Sequence, residues 1–168
     1  MTSKRRVESL ITLGLDPGIS ATGYGAVVSD RGSLALARCG VWRPPDGLSL
    51  SSKLYFLSEK LLALLDELRP AAVSIETVFA AKNVSSTMKL SHARGVLLAA
   101  AARFDVPVFE YEPRLVKKAI VGYGHAEKPQ VRAMVLALLA RPRDRVPLDA
   151  ADALAVAICH LHARPPGA

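Results

Sequence analysis

The chain is poor in aromatics, which make up 5% of its 168 residues, and it has only two cysteines, Cys39 and Cys159. Its core must therefore be built from Leu, Val, Ile and Ala. The cysteines lie far apart and outside any C-x-x-C spacing, which argues against a disulfide framework or a soft-metal site and predicts buried, reduced thiols. No apolar run reaches the ~18 residues that a membrane span needs. Residues 1–9 carry positive charge without the apolar stretch and small-residue cleavage site of a signal peptide, so a flexible basic extension is expected there, on a cytoplasmic protein. Acids are also scarce: 15 Asp and Glu against 22 Lys and Arg give a net charge of +7. That excess suits a polyanionic partner, nucleic acid above all.

Because acids are few, their positions are informative. An alternating apolar run (Ile11, Leu13, Leu15) ends at Asp16-Pro17-Gly18, and a second strand opens at Gly23 and runs to Val28. The period of two, bounded by Pro and Gly, predicts a strand, a turn and an antiparallel return. Asp16 ends an apolar strand, where a lone carboxylate would be costly to bury. It calls for a metal ion or a backbone amide, or else begins an Asx turn through its own side chain. A third strand over 34–42 completes a meander. Leu50, Leu54, Leu57, Leu61, Leu64, Leu65 and Leu68 mark one face of a long helix, with Ser49 as N-cap.

Residues 72–76 (AVSIE) form a short strand that again finishes on an acid, Glu76. A right-handed crossover through the helix would bring it back parallel to the first strand. Asp16 and Glu76 then stand side by side at one sheet edge. A helix over 85–104 follows, capped by Ser85 or Ser86, then a strand over 108–111, a short helix opened by Pro113, another opened by Pro129, and a last helix from 148 to 162. Asp149 and Asp152 lie three apart at its start, on one face. Favourable interaction with the helix dipole competes as an explanation for that pair.

Four acids at strand and helix ends form an oxygen-rich set that suits Mg²⁺ or Mn²⁺. Two ions ~3.5–4 Å apart would clamp both the attacking and the leaving oxygen of a phosphodiester.

With these motifs in order, the sequence resembles the RuvC family of bacterial Holliday-junction resolvases. The resemblance rests on GLDPG at 14–18, TGYG at 22–25 and IE-x-VF at 75–79. It continues with AKN at 81–83, LSHARGV at 90–96, PVFEY at 107–111, VKKAIVGYGHAEKPQV at 116–131 and DAADALA at 149–155. It implies an α/β, RNase H-like fold in one domain over 10–163: a mixed five-stranded sheet, three antiparallel strands then two parallel, flanked by helices, with a short tail at 164–168.

By the same resemblance Asp16, Glu76, Asp149 and Asp152 are the catalytic metal ligands, holding two Mg²⁺ per subunit, with Mn²⁺ able to substitute. Phe79 takes the position that engages junction bases, and Lys117 and Lys128 face the cleaved strand. Lys82 and Lys118 widen the DNA-binding face. The implied partners are four-way junction DNA and the RuvA–RuvB branch-migration complex. A two-fold substrate asks for a homodimer, for which the apolar 85–104 helix around Leu97 is the expected contact. Thr77 replaces the Gln often found after the family's glutamate. His92, His125, His160 and His162 have no evident partner, and His125 lies in a Gly-rich loop.

Three rivals remain at this point. A general RNase H-fold nuclease would share the acids. An actin-like ATPase would share Asp16-x-Gly18 but needs a second domain. A junction-binding scaffold would use the acids as caps.

Overall fold

A computed structural model describes residues 10–78 and 84–163. The expected extension at 1–9, the tail at 164–168, Phe79 and Lys82 lie outside the described residues. The strands are β1 (Leu10–Asp16), β2 (Thr22–Asp30), β3 (Ser33–Trp42), β4 (Ala72–Glu76) and β5 (Val108–Tyr111). The helices are α1 (Leu50–Leu68), α2 (Val84–Ala102), α3 (Pro113–Val121), α4 (Lys128–Leu138) and α5 (Leu148–Ala163). They form one mixed sheet in the order β3-β2-β1-β4-β5, with β1–β3 antiparallel and β4 and β5 parallel to β1. The strands of the meander run longer than the apolar pattern alone suggests, because backbone pairing continues through Ser29 and Asp30.

The sheet is covered on both faces. Leu13, Leu15, Val73 and Ile75 project to one side, where they pack with Leu57, Leu61 and Leu65 of α1 and with Ala93 and Leu97 of α2. Each buried leucine, valine or isoleucine among them stabilises the fold by ~1.5–3 kcal/mol. The other side carries α3, α4 and α5, with Val116, Val131, Val135, Leu154 and Ile158 in one cluster. Leu97 is fully buried, so it is a core residue and not the contact surface expected of it. Helical spacing puts Met88, His92, Gly95 and Ala99 on the opposite face of α2, and all four are exposed. Ser85 and Ser86 lie inside α2 rather than capping it, since the helix already begins at Val84.

Alternation in β1 sets apart a bare strip of sheet. Leu13 and Leu15 fill the α1 side, leaving Gly14 on the α5 side, paired in register with Gly25 of β2. A Cβ on Gly14 would lie 1.9 Å from the Ala153 carbonyl oxygen, and one on Gly23 would lie 2.0 Å from that of Asp149. A Cβ on Gly25 would lie 2.5 Å from Leu154 Cγ. Helix α5 thus rests on the strands backbone to backbone, one helical turn after another, and its own Ala150, Ala151, Ala153 and Ala157 are fully buried around the contact. Gly14→Ala is expected to push α5 off the sheet, destabilise the protein by ~1–3 kcal/mol and abolish catalysis in the molecules that still fold. Thermal melting together with a cleavage assay checks this; an unchanged Tm and rate would contradict so close a contact.

Candidate active site

The same alternation aims the acids. Asp16 shares its face of β1 with Gly14, and Glu76 shares its face of β4 with Ser74, which pairs with Gly14. Leu15 pairs with Ile75, so the two carboxylates leave adjacent strand ends on the α5 side. Beyond Glu76 the chain is pinned to β5, as Thr77 N–H donates to the Tyr111 carbonyl at 2.9 Å. Asp149 and Asp152 stand in the first turns of α5, held over the edge by the glycine strip. A cleft of 190 Å³ brings together Asp16, Glu76, Asp152, Lys117 and Lys128. Asp149 does not line it, but its charge acts on Asp16 and Lys128. Lys118 is exposed on a different face of α3 and does not line the cleft.

The electrostatics are those of crowded carboxylates in a partly dry place. Burial, then the charges of Glu76 and Asp152, push the Asp16 carboxyl up to about 7, against a weaker opposing pull from Lys128. Burial and the Asp152 charge raise Glu76 to about 7 as well, with Lys128 and Lys117 pulling the other way. Asp149 and Asp152 do have cationic partners, but from other elements. Arg43, just past β3, lies 3.7 Å from Asp149, and the Lys128 ammonium hydrogen-bonds Asp152. Burial would lower the Lys128 pKa, but the Asp152 hydrogen bond and the charges of Asp152, Asp16 and Asp149 raise it. Among the described residues, no three Asp, Glu, His or Cys side chains close on one coordination point as they stand. The donors are nonetheless hard oxygens, clustered and short of positive charge, which is the environment Mg²⁺ or Mn²⁺ fits.

Several contributors were not assigned from the sequence. Arg94 of α2 donates from Nε to the Glu76 carbonyl at 3.3 Å and pairs with Glu110 of β5 at 2.5 Å, so it ties the end of β4 in place. His160 does have a partner: its Nδ1 lies 2.7 Å from the Tyr111 hydroxyl, and its ring packs on Phe109. His125 is exposed. Both cysteines are free thiols, but only Cys159 is fully buried. Its pKa is pushed up to about 11 by burial and then by the Glu76 charge, which leaves it unreactive.

The family profile "Crossover junction endodeoxyribonuclease RuvC" matches residues 12–160. The chain belongs to the RuvC family. A RuvC from Roseiflexus sp. is 44% identical over 154 residues, 92% of each chain. One from Syntrophomonas wolfei is 45% identical over 150 residues, covering 89% of this chain and 87% of that one. The structure of Thermus thermophilus RuvC in complex with Holliday junction substrate superposes with a TM-score of 0.84 at 33% identity, over 90% of this chain and 93% of that one. The RNase H-like sheet order expected of a RuvC protein is the one observed. No helix among the described residues is long and apolar enough to cross a membrane.

The raised carboxyls carry a sign that can be tested. Asp16 and Glu76 hold protons in the fold that the unfolded chain releases near 4, so between about pH 4 and 7 the native state binds more protons. Stability of the metal-free protein must therefore fall as pH rises through that window. In EDTA, Tm is expected to be lower at pH 7.5 than at pH 5.5, and Mg²⁺ or Mn²⁺ should recover it at pH 7.5. A Tm that rises with pH, or ignores the metal, would contradict this electrostatic account.

Proposed function

We propose that this chain resolves Holliday junctions by metal-dependent hydrolysis of phosphodiester bonds, with Asp16, Glu76, Asp149 and Asp152 as its metal ligands. The observation that carries the reading is the meeting of acids from β1, β4 and α5 at one cleft walled by Lys117 and Lys128, in a chain that matches RuvC over nearly its whole length. The RuvC family is one of metal-dependent nucleases; Mg²⁺, two ions per subunit, is the assignment made here, with Mn²⁺ able to replace it. Bound there, the metal supplies an activated water and charge stabilisation for the leaving oxygen.

The chain's own residues prepare that step. Asp16 and Glu76 present carboxylates from fixed strand ends, so little reorganisation accompanies binding. Lys117 and Lys128 hold the backbone of the cleaved strand as point charges. Lys128 exchanges its Asp152 partner for a DNA phosphate. Phe79 stacks on a base at the junction centre, and Lys82 and Lys118 add flanking charge. The products are nicks with 5′-phosphate and 3′-hydroxyl ends.

Symmetric nicks across a two-fold junction need two sites related by a two-fold axis, hence a homodimer. The outward face of α2, with Met88, Gly95 and Ala99, is the surface assigned to that contact. RuvA and RuvB are the partners that the family resemblance implies, and the cytoplasm is the assigned location.

The test is a four-way junction beside a linear duplex of matching sequence, with Mg²⁺ or EDTA, for the wild type and Glu76→Gln. Paired, ligatable nicks are expected in the junction alone. EDTA should abolish them, and Glu76→Gln should slow them by at least ~10²-fold with binding retained. Equal cutting of both DNAs would replace the reading with a general nuclease, and junction binding without cutting would make the acids structural.

A further inference from the structure

Between α4 and α5 the chain reads Arg141-Pro142-Arg143-Asp144-Arg145, three guanidiniums in five residues. Ala140 turns the chain back with φ of 55°, and Arg141 N–H donates to the Leu136 carbonyl at 2.7 Å. Buried Val146 anchors the returning segment, and Arg132 of α4 donates to its carbonyl at 3.5 Å. Segment 141–147 therefore lies back along α4 and leaves an open groove of 560 Å³ between them. Ala133, Leu136 and Val146 give it an apolar floor, while Arg132 and Arg145 stand at its sides. Asp144 also lines it, but its carboxylate is 3.5 Å from Arg141 and its charge is balanced there. Arg143 and Arg145 are exposed and form no ion pair among the described residues.

The position of the groove gives these charges a use. It begins at Pro129, beside the Lys128 whose ammonium sits on Asp152, and follows α4 as far as Leu136, ~10 Å of helix. Like charges this close repel one another and gain the isolated fold nothing, whereas a polyanion would be drawn to them.

We propose that this groove is a phosphate track that seats the sugar–phosphate backbone of the junction arm leaving the catalytic cleft, with Arg145, which lines it, and Arg143, exposed two residues before it, as its phosphate contacts. The apolar floor offers no donors to base edges, so the contact is independent of sequence. The proposal rests on the reading of the chain as a junction-binding nuclease.

It is tested by the salt dependence of junction binding in EDTA, followed by fluorescence anisotropy. The wild type is compared with Arg143→Gln/Arg145→Gln, with the double lysine replacement at the same positions, and with Lys53→Gln/Lys60→Gln on α1, across the sheet. Two lost phosphate contacts should reduce the slope of log K against log salt by about 2. The lysine double and the α1 double should keep the wild-type slope. An unchanged slope in the glutamine double, or an equal fall in the α1 or lysine double, would overturn the track. If the wild type binds junction no better than duplex, the junction reading fails, while the slopes still decide whether 143 and 145 contact phosphate.

Discussion

Everything at the proposed catalytic edge depends on how closely α5 approaches the sheet. With Gly14, Gly23 and Gly25 beneath it and small residues along its own buried stripe, the helix lies on β1 and β2 with no side chain of the strip between them. One added methyl group at Gly14 would meet a carbonyl oxygen 1.9 Å away, and a close-packed interior has no slack to absorb that. This contact places Asp149 and Asp152 over the ends of β1 and β4. Alternation of side chains along the strands does the rest, since the leucines that anchor β1 to α1 force Asp16 to the opposite face.

The arrangement opposes stability to function. Two carboxyls held at about 7 by burial and by the charges of neighbouring carboxylates destabilise the metal-free protein near neutral pH. Lys128 relieves part of that strain through its hydrogen bond to Asp152, and Arg43 relieves part at Asp149. Both cations are exposed enough to exchange a carboxylate for a phosphate when DNA arrives. Arg94 acts from the other side of the sheet, holding the end of β4 by its backbone while its own charge is taken up by Glu110. The site is thus a local excess of negative charge, fixed by rigid packing, on the surface of a chain whose net charge is +7.

Most of this was legible in the sequence where a pattern is local. The strand-ending acids at 16 and 76, the crossover between them and the pair on α5 follow from periods of 2 and 3.6 and from Pro and Gly punctuation. The partners of Asp149 and Asp152 were not legible, because Arg43 and Lys128 come from other elements and no i±4 rule reaches them. Leu97 illustrates the limit of reading a helix that is apolar almost all round: composition shows that one face is buried, but only the position of α1 tells which. The Tyr111–His160 pair joins residues 49 apart, beyond any local signal. Gly14 inside an alternating strand was a visible hint of close backbone approach, although its neighbour could not be named before the topology was known.

The central claim is that the four carboxylates form a cation site now partly balanced by lysine and arginine. The most direct measurement is anomalous diffraction from a crystal of the protein grown with Mn²⁺. The account predicts manganese peaks bracketed by Asp16, Glu76, Asp149 and Asp152, with the Lys128 ammonium displaced from Asp152. A crystal that retains the Lys128–Asp152 pair and shows no manganese between these side chains would contradict it.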